Sequence, residues 1–282
     1  MGSFYRASHA LWKRLERLSI GRNRGMKLAV GGKGGVGKTT IAACMAKAFA
    51  EKGYQVLAID ADPNATLASA FGLPDARQII PIVKMEELIQ ERTGAKPGTT
   101  GGMFKLNPRV DDIPDRFCRD VAPGIRMMVM GAFKSGGGGC YCPENAMLKA
   151  LVTHLLLDRR EVVILDMEAG IEHLGRGTAQ AVDQLIVVVE PGRRSIDTAF
   201  TVRQLAADIG LTRLAVVANK VRGPRDEAFL REKMEGFELL GFIPYSERVV
   251  EADMGNRPPY DSFPELLVCM DSVIHRLMDK KG

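Results

Sequence analysis

The sequence predicts an α/β fold, in which a mostly parallel, twisted sheet carries helices on both faces within a single domain. Short apolar runs recur along the 282 residues and alternate with segments of helical periodicity, the pattern of parallel strands joined by crossover helices. A glycine-rich segment connects the first apolar run to the first helix. Aspartates follow two later runs, where parallel strands would end and where ligands bind in such sheets.

Seven segments have the length and apolar character of strands, and five have helical periodicity. The predicted strands cover residues 26–30, 55–59, 125–130, 162–165, 184–189, 214–218 and 237–243. The predicted helices cover residues 39–52, 143–157, 195–209, 225–235 and 264–280. No internal repeat or second domain is indicated.

The net charge of +5 lies entirely in residues 1–25, which hold six basic residues and one acidic residue. We therefore predict residues 1–25 as a basic extension outside the fold and residues 26–282 as the folded domain. An amphipathic helix at a membrane surface and a start assigned upstream of Met26 are the two explanations of the extension. Because residues 26–282 are neutral, a global affinity for nucleic acid is not expected.

The expected location is the cytoplasm. No apolar run approaches the roughly 20 residues of a membrane span, and no signal-peptide core is evident. Five cysteines, an odd number without framework spacing, are typical of a reducing compartment.

Residues 32–40, with the sequence GKGGVGKTT, match the phosphate-binding P-loop. Backbone N–H groups of this loop and the start of the next helix would surround a triphosphate. Lys38 would reach the β- and γ-phosphates, and the Thr39 hydroxyl would bind Mg²⁺. Lys33 is not part of the minimal pattern. The predicted nucleotide-binding residues of the loop are Gly34, Gly35, Val36, Gly37, Lys38, Thr39 and Thr40.

Three later polar positions fit the same site. The Asp-rich segment at residues 60–64, which includes Asp62, follows the second predicted strand, and one of its carboxylates could orient the attacking water; a simple Asp-rich turn is the alternative. Asp166 ends an apolar strand, the usual form of a Walker B carboxylate that holds Mg²⁺. Asn219 ends another strand, and its amide has the donor and acceptor needed to contact a purine edge.

Cys140 and Cys142 flank a tyrosine directly after four glycines. Two thiols cannot complete a tetrahedral site, but two copies of the chain would supply four. Four thiolates suit zinc, an iron–sulfur cluster or nickel. Incidental loop thiols are the alternative.

These motifs together resemble the MinD/ParA/nitrogenase iron protein class of deviant Walker A ATPases, and within it the CooC-type nickel-insertion ATPases. The loop with Lys33 carries the resemblance to the class. Residues 138–145, 106–111 and 166–178 carry the resemblance to the nickel branch, and residues 26–282 are covered by it.

The resemblance implies an ATPase that binds ATP or ADP with Mg²⁺ and forms a homodimer with nucleotide or metal. Asp62 matches the aspartate that positions water in this class, and it would also contribute to the Mg²⁺ shell. Lys33 would reach the partner's phosphates, and Cys140 and Cys142 would hold Ni²⁺, with Zn²⁺ as a competitor. The implied client is the carbon monoxide dehydrogenase apo-enzyme, with acetyl-CoA synthase as an alternative. A positioning ATPase, an iron–sulfur electron carrier and a non-hydrolysing metal carrier are the other functions considered.

Overall fold

The computed structural model describes residues 25–98, 103–131, 142–154, 160–168 and 181–279. Within these residues eight strands form one sheet. The strands are β1 Met26–Gly31, β2 Gln55–Ala61, β3 Arg119–Ala122, β4 Ile125–Val129, β5 Glu161–Met167, β6 Gln184–Val189, β7 Leu214–Val221 and β8 Glu238–Pro244. Their order across the sheet is β3-β4-β2-β5-β1-β6-β7-β8. Only β3 among them runs antiparallel to its neighbour.

Ten α-helices lie among the described residues. They are α1 Lys38–Glu51, α2 Leu67–Ala70, α3 Glu86–Thr93, α4 Ile113–Phe117, α5 Pro143–His154, α6 Arg193–Asp208, α7 Pro224–Lys233, α8 Glu247–Met254, α9 Pro259–Ser262 and α10 Glu265–Asp279. Two single 3₁₀ turns cover Ala76–Gln78 and Ile82–Lys84. None of the helices in this part of the chain is both long and apolar enough to cross a membrane.

Two hydrophobic cores lie on opposite faces of the sheet. In the central strand β1, Leu28 and Val30 face the core formed with α1 and α10. Ala29 between them faces the core formed with α3, α5 and α6. Side chains alternate between the faces of a strand, so a strand buried on both faces must be apolar throughout. This explains why the central strands are continuous apolar runs and why they were recognisable in the sequence.

The predicted α/β fold with a mostly parallel sheet is confirmed. All seven predicted strands and all five predicted helices overlap observed ones, although α5 ends at His154 and residues 155–157 lie outside the described part. Strand β3 was missed because it has four residues, and its first two, Arg119 and Asp120, are exposed at the sheet edge. Five helices of eight residues or fewer were also missed, namely α2, α3, α4, α8 and α9. The predicted extension, apart from Gly25, lies outside the described residues.

Candidate nucleotide site

The loop between β1 and α1 approaches neighbouring strands so closely that two of its glycines cannot be replaced without strain. A Cβ on Gly32 would lie 2.4 Å from the Val188 oxygen, and one on Gly37 would lie 2.4 Å from Asn219 Nδ2. Both glycines also have positive φ, 137° and 95°, which glycine tolerates best. The loop is therefore anchored against β6 and β7.

The first turn of α1 has the features of an anion site. Gly37 occupies the N-cap position, no side chain caps the helix, and no acidic residue lies in its first turn. The first N–H groups of a helix have no partner within the helix, and they concentrate partial positive charge there. Lys33 and Lys38 are half-buried beside these groups. This arrangement suits a phosphate chain.

Asp60 and Asp166 lie side by side at the carboxyl ends of β2 and β5, where they are register partners. Asp60 Oδ1 accepts a hydrogen bond from the Asp62 N–H at 3.1 Å, and Oδ2 accepts one from the Leu67 N–H at 2.8 Å. Burial raises the pKa of Asp60 to about 6, against the lowering effect of these N–H donors. Asp60 therefore shapes the loop after β2, a role that sequence analysis did not assign to it.

Asp166 is 1% exposed, and neither of its carboxyl oxygens has a hydrogen-bond partner in the described structure. Burial and then the negative charge of Asp60 raise its pKa to about 7. The Thr39 hydroxyl and the Lys38 ammonium act in the opposite direction, although the hydroxyl makes no hydrogen bond of normal geometry with the carboxylate. A buried carboxylate without donors requires a compensating cation or a proton.

The surrounding oxygen groups fit Mg²⁺. Thr39 Oγ1 lies 3.3 Å from Thr66 Oγ1, which connects α1 to the loop after β2. In that loop Asp62 is half-buried, and its Oδ1 accepts the Asn64 N–H at 2.8 Å. Hydroxyl and carboxylate oxygens are the ligands that Mg²⁺ prefers, usually together with waters and phosphate oxygens. Thr39, Asp62 and Asp166 are therefore suited to hold the ion.

Asn219 lies at the loop, but part of its amide is already engaged. Its Nδ2 donates to the Val36 carbonyl at 2.8 Å. The donor that was predicted to contact a purine base thus holds the P-loop, and base contact by the remaining oxygen stays a prediction. The adjacent Lys220 was not singled out from the sequence. Its ammonium donates to the Gly35 carbonyl and lies 3.1 Å from Glu190 Oε2.

The predicted thiol pair is only partly described. Cys142 is 4% exposed and immediately precedes α5, where its carbonyl accepts the Ala146 N–H at 3.0 Å. Cys140 lies outside the described residues. In the described part of one chain, no three His, Cys, Asp or Glu side chains are grouped so that they could hold a metal ion. The predicted metal site requires two chains and stays a prediction.

Comparison with known proteins shows the family to which the chain belongs. The model of the CobQ/CobB/MinD/ParA nucleotide-binding domain matches residues 27–259. The chain belongs to this MinD/ParA family. The chain is 49% identical to the carbon monoxide dehydrogenase accessory protein CooC of Rhodospirillum rubrum over 255 residues, 90% of this chain and 95% of that protein. It is 47% identical to an ATP-binding protein of Methanocaldococcus jannaschii over 236 residues, 83% of this chain and 90% of that protein.

Solved structures of the MinD/ParA family share the fold. MinD of Pyrococcus horikoshii, complexed with Mg-ADP, superposes with a TM-score of 0.65 at 18% identity, covering 92% of this chain and 98% of that one. MinD of Aquifex aeolicus superposes with a TM-score of 0.63 at 21% identity, covering 90% and 97%. At these identities the likeness concerns the fold alone. With the family match, it confirms the predicted P-loop ATPase class, and the chain is an ATPase of this family.

Proposed function

We propose that this MinD/ParA-family ATPase is a cytoplasmic accessory protein that inserts nickel into carbon monoxide dehydrogenase. The observation that carries the proposal is its 49% identity, over nearly the full length of both chains, to an accessory protein of that enzyme. The Cys-Tyr-Cys segment at residues 140–142 supports a metal as the cargo. The anion-binding start of α1 and the carboxylates described above support ATP as the energy source.

The proposed chemistry at the nucleotide follows from side chains already in position. Lys38 contacts the β- and γ-phosphates, and the loop N–H groups bind their oxygens. Thr39, Asp62 and Asp166 would hold Mg²⁺, which would supply charge neutralisation on the phosphates. The free oxygen of Asp62 orients the attacking water. Proton loss from Asp166 accompanies cation binding, since a pKa of about 7 leaves it partly protonated near neutral pH.

A homodimer completes the proposed mechanism. Lys33 is half-buried and directly precedes the exposed Gly34 and Gly35, and it extends to the partner's phosphates. Cys140 and Cys142 from each of two chains provide four thiolates for one Ni²⁺, with Zn²⁺ as a competitor. Because Cys142 is nearly buried in one chain, metal binding requires its surroundings to open. Hydrolysis then loosens the dimer and releases nickel to the apo-enzyme.

Coupling between metal and nucleotide is a required property of this mechanism. If both ligands stabilise the same dimer, each must increase the affinity for the other by the same factor. Equal ATP affinity with and without nickel would therefore exclude the proposed coupling.

The decisive experiment is an anaerobic Ni²⁺ titration combined with light scattering. We expect one Ni²⁺ per two chains and a change from monomer to dimer, both lost in the Cys140→Ser/Cys142→Ser variant. Cys118→Ser is the matched control, because Cys118 is partly accessible and has no neighbouring cysteine in the sequence. One metal per chain would refute the shared site.

Activation of the apo-enzyme tests the delivery step separately. Wild-type protein with ATP and Ni²⁺ should restore carbon monoxide oxidation, whereas Lys38→Ala should not. Restoration by Lys38→Ala would instead indicate a carrier that does not need hydrolysis. A brown, iron-containing protein would indicate an electron carrier, and salt-dependent binding to DNA or anionic liposomes would indicate a positioning ATPase.

A further inference from the structure

We infer that Lys220, with Glu190 as its counter-ion, is a positioning residue for ATP binding that orients the peptide groups of the P-loop from outside. The inference rests on the nucleotide-binding part of the proposed function and not on nickel delivery. It concerns Lys220 and Glu190, residues to which the motifs of the sequence assign no role.

The Lys220 ammonium is bonded to two acceptors. It donates to the Gly35 carbonyl and to Glu190 Oε2. Both side chains are partly shielded, with 40% and 28% of their surface exposed. An ion pair at this exposure contributes little to stability by itself. The Lys220–Glu190 pair therefore acts mainly through the geometry of the loop that it holds.

Lys220 and Asn219 each hold one peptide group of the P-loop. A peptide unit is planar, and its N–H points opposite to its C=O. Lys220 holds the Gly35 carbonyl while the N–H of the same unit donates to the Lys33 carbonyl at 3.4 Å. Asn219 holds the Val36 carbonyl, so the N–H of Gly37 points away from β7. Two consecutive peptide units are thus oriented by neighbouring residues at the end of one strand.

The backbone of Lys220 adopts the left-handed conformation. Its φ is 57°, one of three positive values among the described non-glycine residues. A lysine in this region is uncommon and is maintained only where surrounding contacts require it. Lys220 lies within β7, at the register shift between Ala218 and Val221, and its left-handed conformation interrupts the extended strand there while its ammonium reaches the P-loop.

Glu190 is itself held in place. It directly follows β6, and its N–H donates to the Oγ of Ser195 at 3.0 Å. Ser195 is 3% exposed and lies in the first turn of α6. The connection from Ser195 through Glu190 and Lys220 to Gly35 therefore joins α6 and β7 to the phosphate loop. It gives the loop a fixed support before nucleotide binds.

The test measures binding of Mg-ADP and Mg-GDP by calorimetry, together with steady-state ATP hydrolysis. Lys220 does not touch the nucleotide, so its removal acts through lost preorganisation of the loop, for which we expect about a tenfold loss of affinity. Lys220→Met should therefore raise the Kd for ADP about tenfold, and Lys220→Arg should recover most of it. Because Met and Arg meet the same backbone constraint as lysine, the comparison isolates the donor. The preference for ADP over GDP should not change.

Kinetics distinguish positioning from a general loss of structure. N–H groups that bind the ground state and the transition state alike affect KM and leave kcat nearly unchanged. Lys220→Met should therefore raise KM about tenfold, whereas partial unfolding would lower kcat at constant KM. Glu190→Gln keeps an acceptor but loses the charge, and it should raise KM about threefold. If Lys220→Met does not fold, Glu190→Gln decides the question.

Lys233→Met and Glu232→Gln are the matched controls. Lys233 and Glu232 also form an exposed ion pair, at 2.6 Å, but on α7. Both controls should keep wild-type KM. A Lys220→Met variant with a KM and an ADP Kd within twofold of wild type would overturn the inference, as would a changed ADP-to-GDP preference. Failure of wild type itself to bind ADP would instead refute the proposed function.

Discussion

Replacing Asp166 by asparagine should make the nucleotide-free protein more stable at alkaline pH and at the same time abolish ATP hydrolysis. The carboxylate is 1% exposed and accepts no hydrogen bond from the described residues. It also lies beside Asp60, its register partner in β2. The negative charge is therefore unfavourable in the folded chain until a cation neutralises it.

The magnitude follows from the pKa. Asp166 has a pKa of about 7 in the folded chain against 3.8 for an unperturbed carboxyl. At 1.36 kcal/mol per pH unit this raised pKa lowers stability by roughly 4 kcal/mol above pH 7. The buried amide that replaces it lacks partners too, which costs about 1–3 kcal/mol. The variant should therefore gain about 1–3 kcal/mol at pH 8.

The sign of the pH dependence is also determined. Between about pH 4 and pH 7 the folded carboxyl retains a proton that the unfolded chain has released. Stability therefore falls as the pH rises through this window, by roughly 3 kcal/mol between pH 5 and pH 8. The Asp166→Asn variant should lose this component of the pH dependence.

Urea unfolding in EDTA at several pH values between 5 and 8 is the appropriate assay. Asp120→Asn, an exposed aspartate of β3, serves as the control and should unfold like wild type at every pH. Mg-ATP should stabilise wild type much more than the Asp166→Asn variant. Equal pH dependence of Asp166→Asn and wild type would refute the reasoning, because it would mean that Asp166 is ionised without penalty.

Three further substitutions, one of them a control, test the packing of the loop and of the core. Gly37→Ala should destabilise the fold by about 1–3 kcal/mol in urea unfolding, since its Cβ would lie 2.4 Å from Asn219 Nδ2. Gly34→Ala, whose Cβ would meet nothing within 4 Å, should stay within about 0.5 kcal/mol of wild type without nucleotide; similar losses in both would contradict the argument. Phe49→Ala should cost about 3–5 kcal/mol by the same measurement, because Phe49 is fully buried and packs edge-on against Tyr54. A loss below 1 kcal/mol would show that α1 contributes little to the core.

The parts of the fold that could be predicted are those whose pattern is local. The central strands are buried on both faces and are therefore continuous apolar runs, as Ile186–Val189 in β6 illustrates. Strand β3 and helix α3 could not be recognised. Both have exposed polar residues, and their formation depends on the neighbours that they pack against.

The same distinction applies to the site. The P-loop, Asp62 and Asp166 could be proposed from local sequence, because strand ends and glycine spacing are local features. The bond from Asn219 to Val36 joins residues 183 positions apart, and the Lys220–Glu190 pair joins residues 30 apart. No spacing rule predicts such contacts, because they depend on the order of β1, β6 and β7 across the sheet.

The sequence by itself determined the α/β class, the phosphate-binding loop and the cysteine pair, since each depends on residue type and short-range spacing. Only the tertiary structure decided which groups surround that loop. It placed Asp60 beside Asp166, and the negative charge of Asp60 adds to burial in raising the pKa of Asp166. It also directed Asn219 and Lys220 to the outer carbonyls of the loop. Parallel pairing aligns the carboxyl ends of distant strands at one edge, and this alignment brings those side chains together.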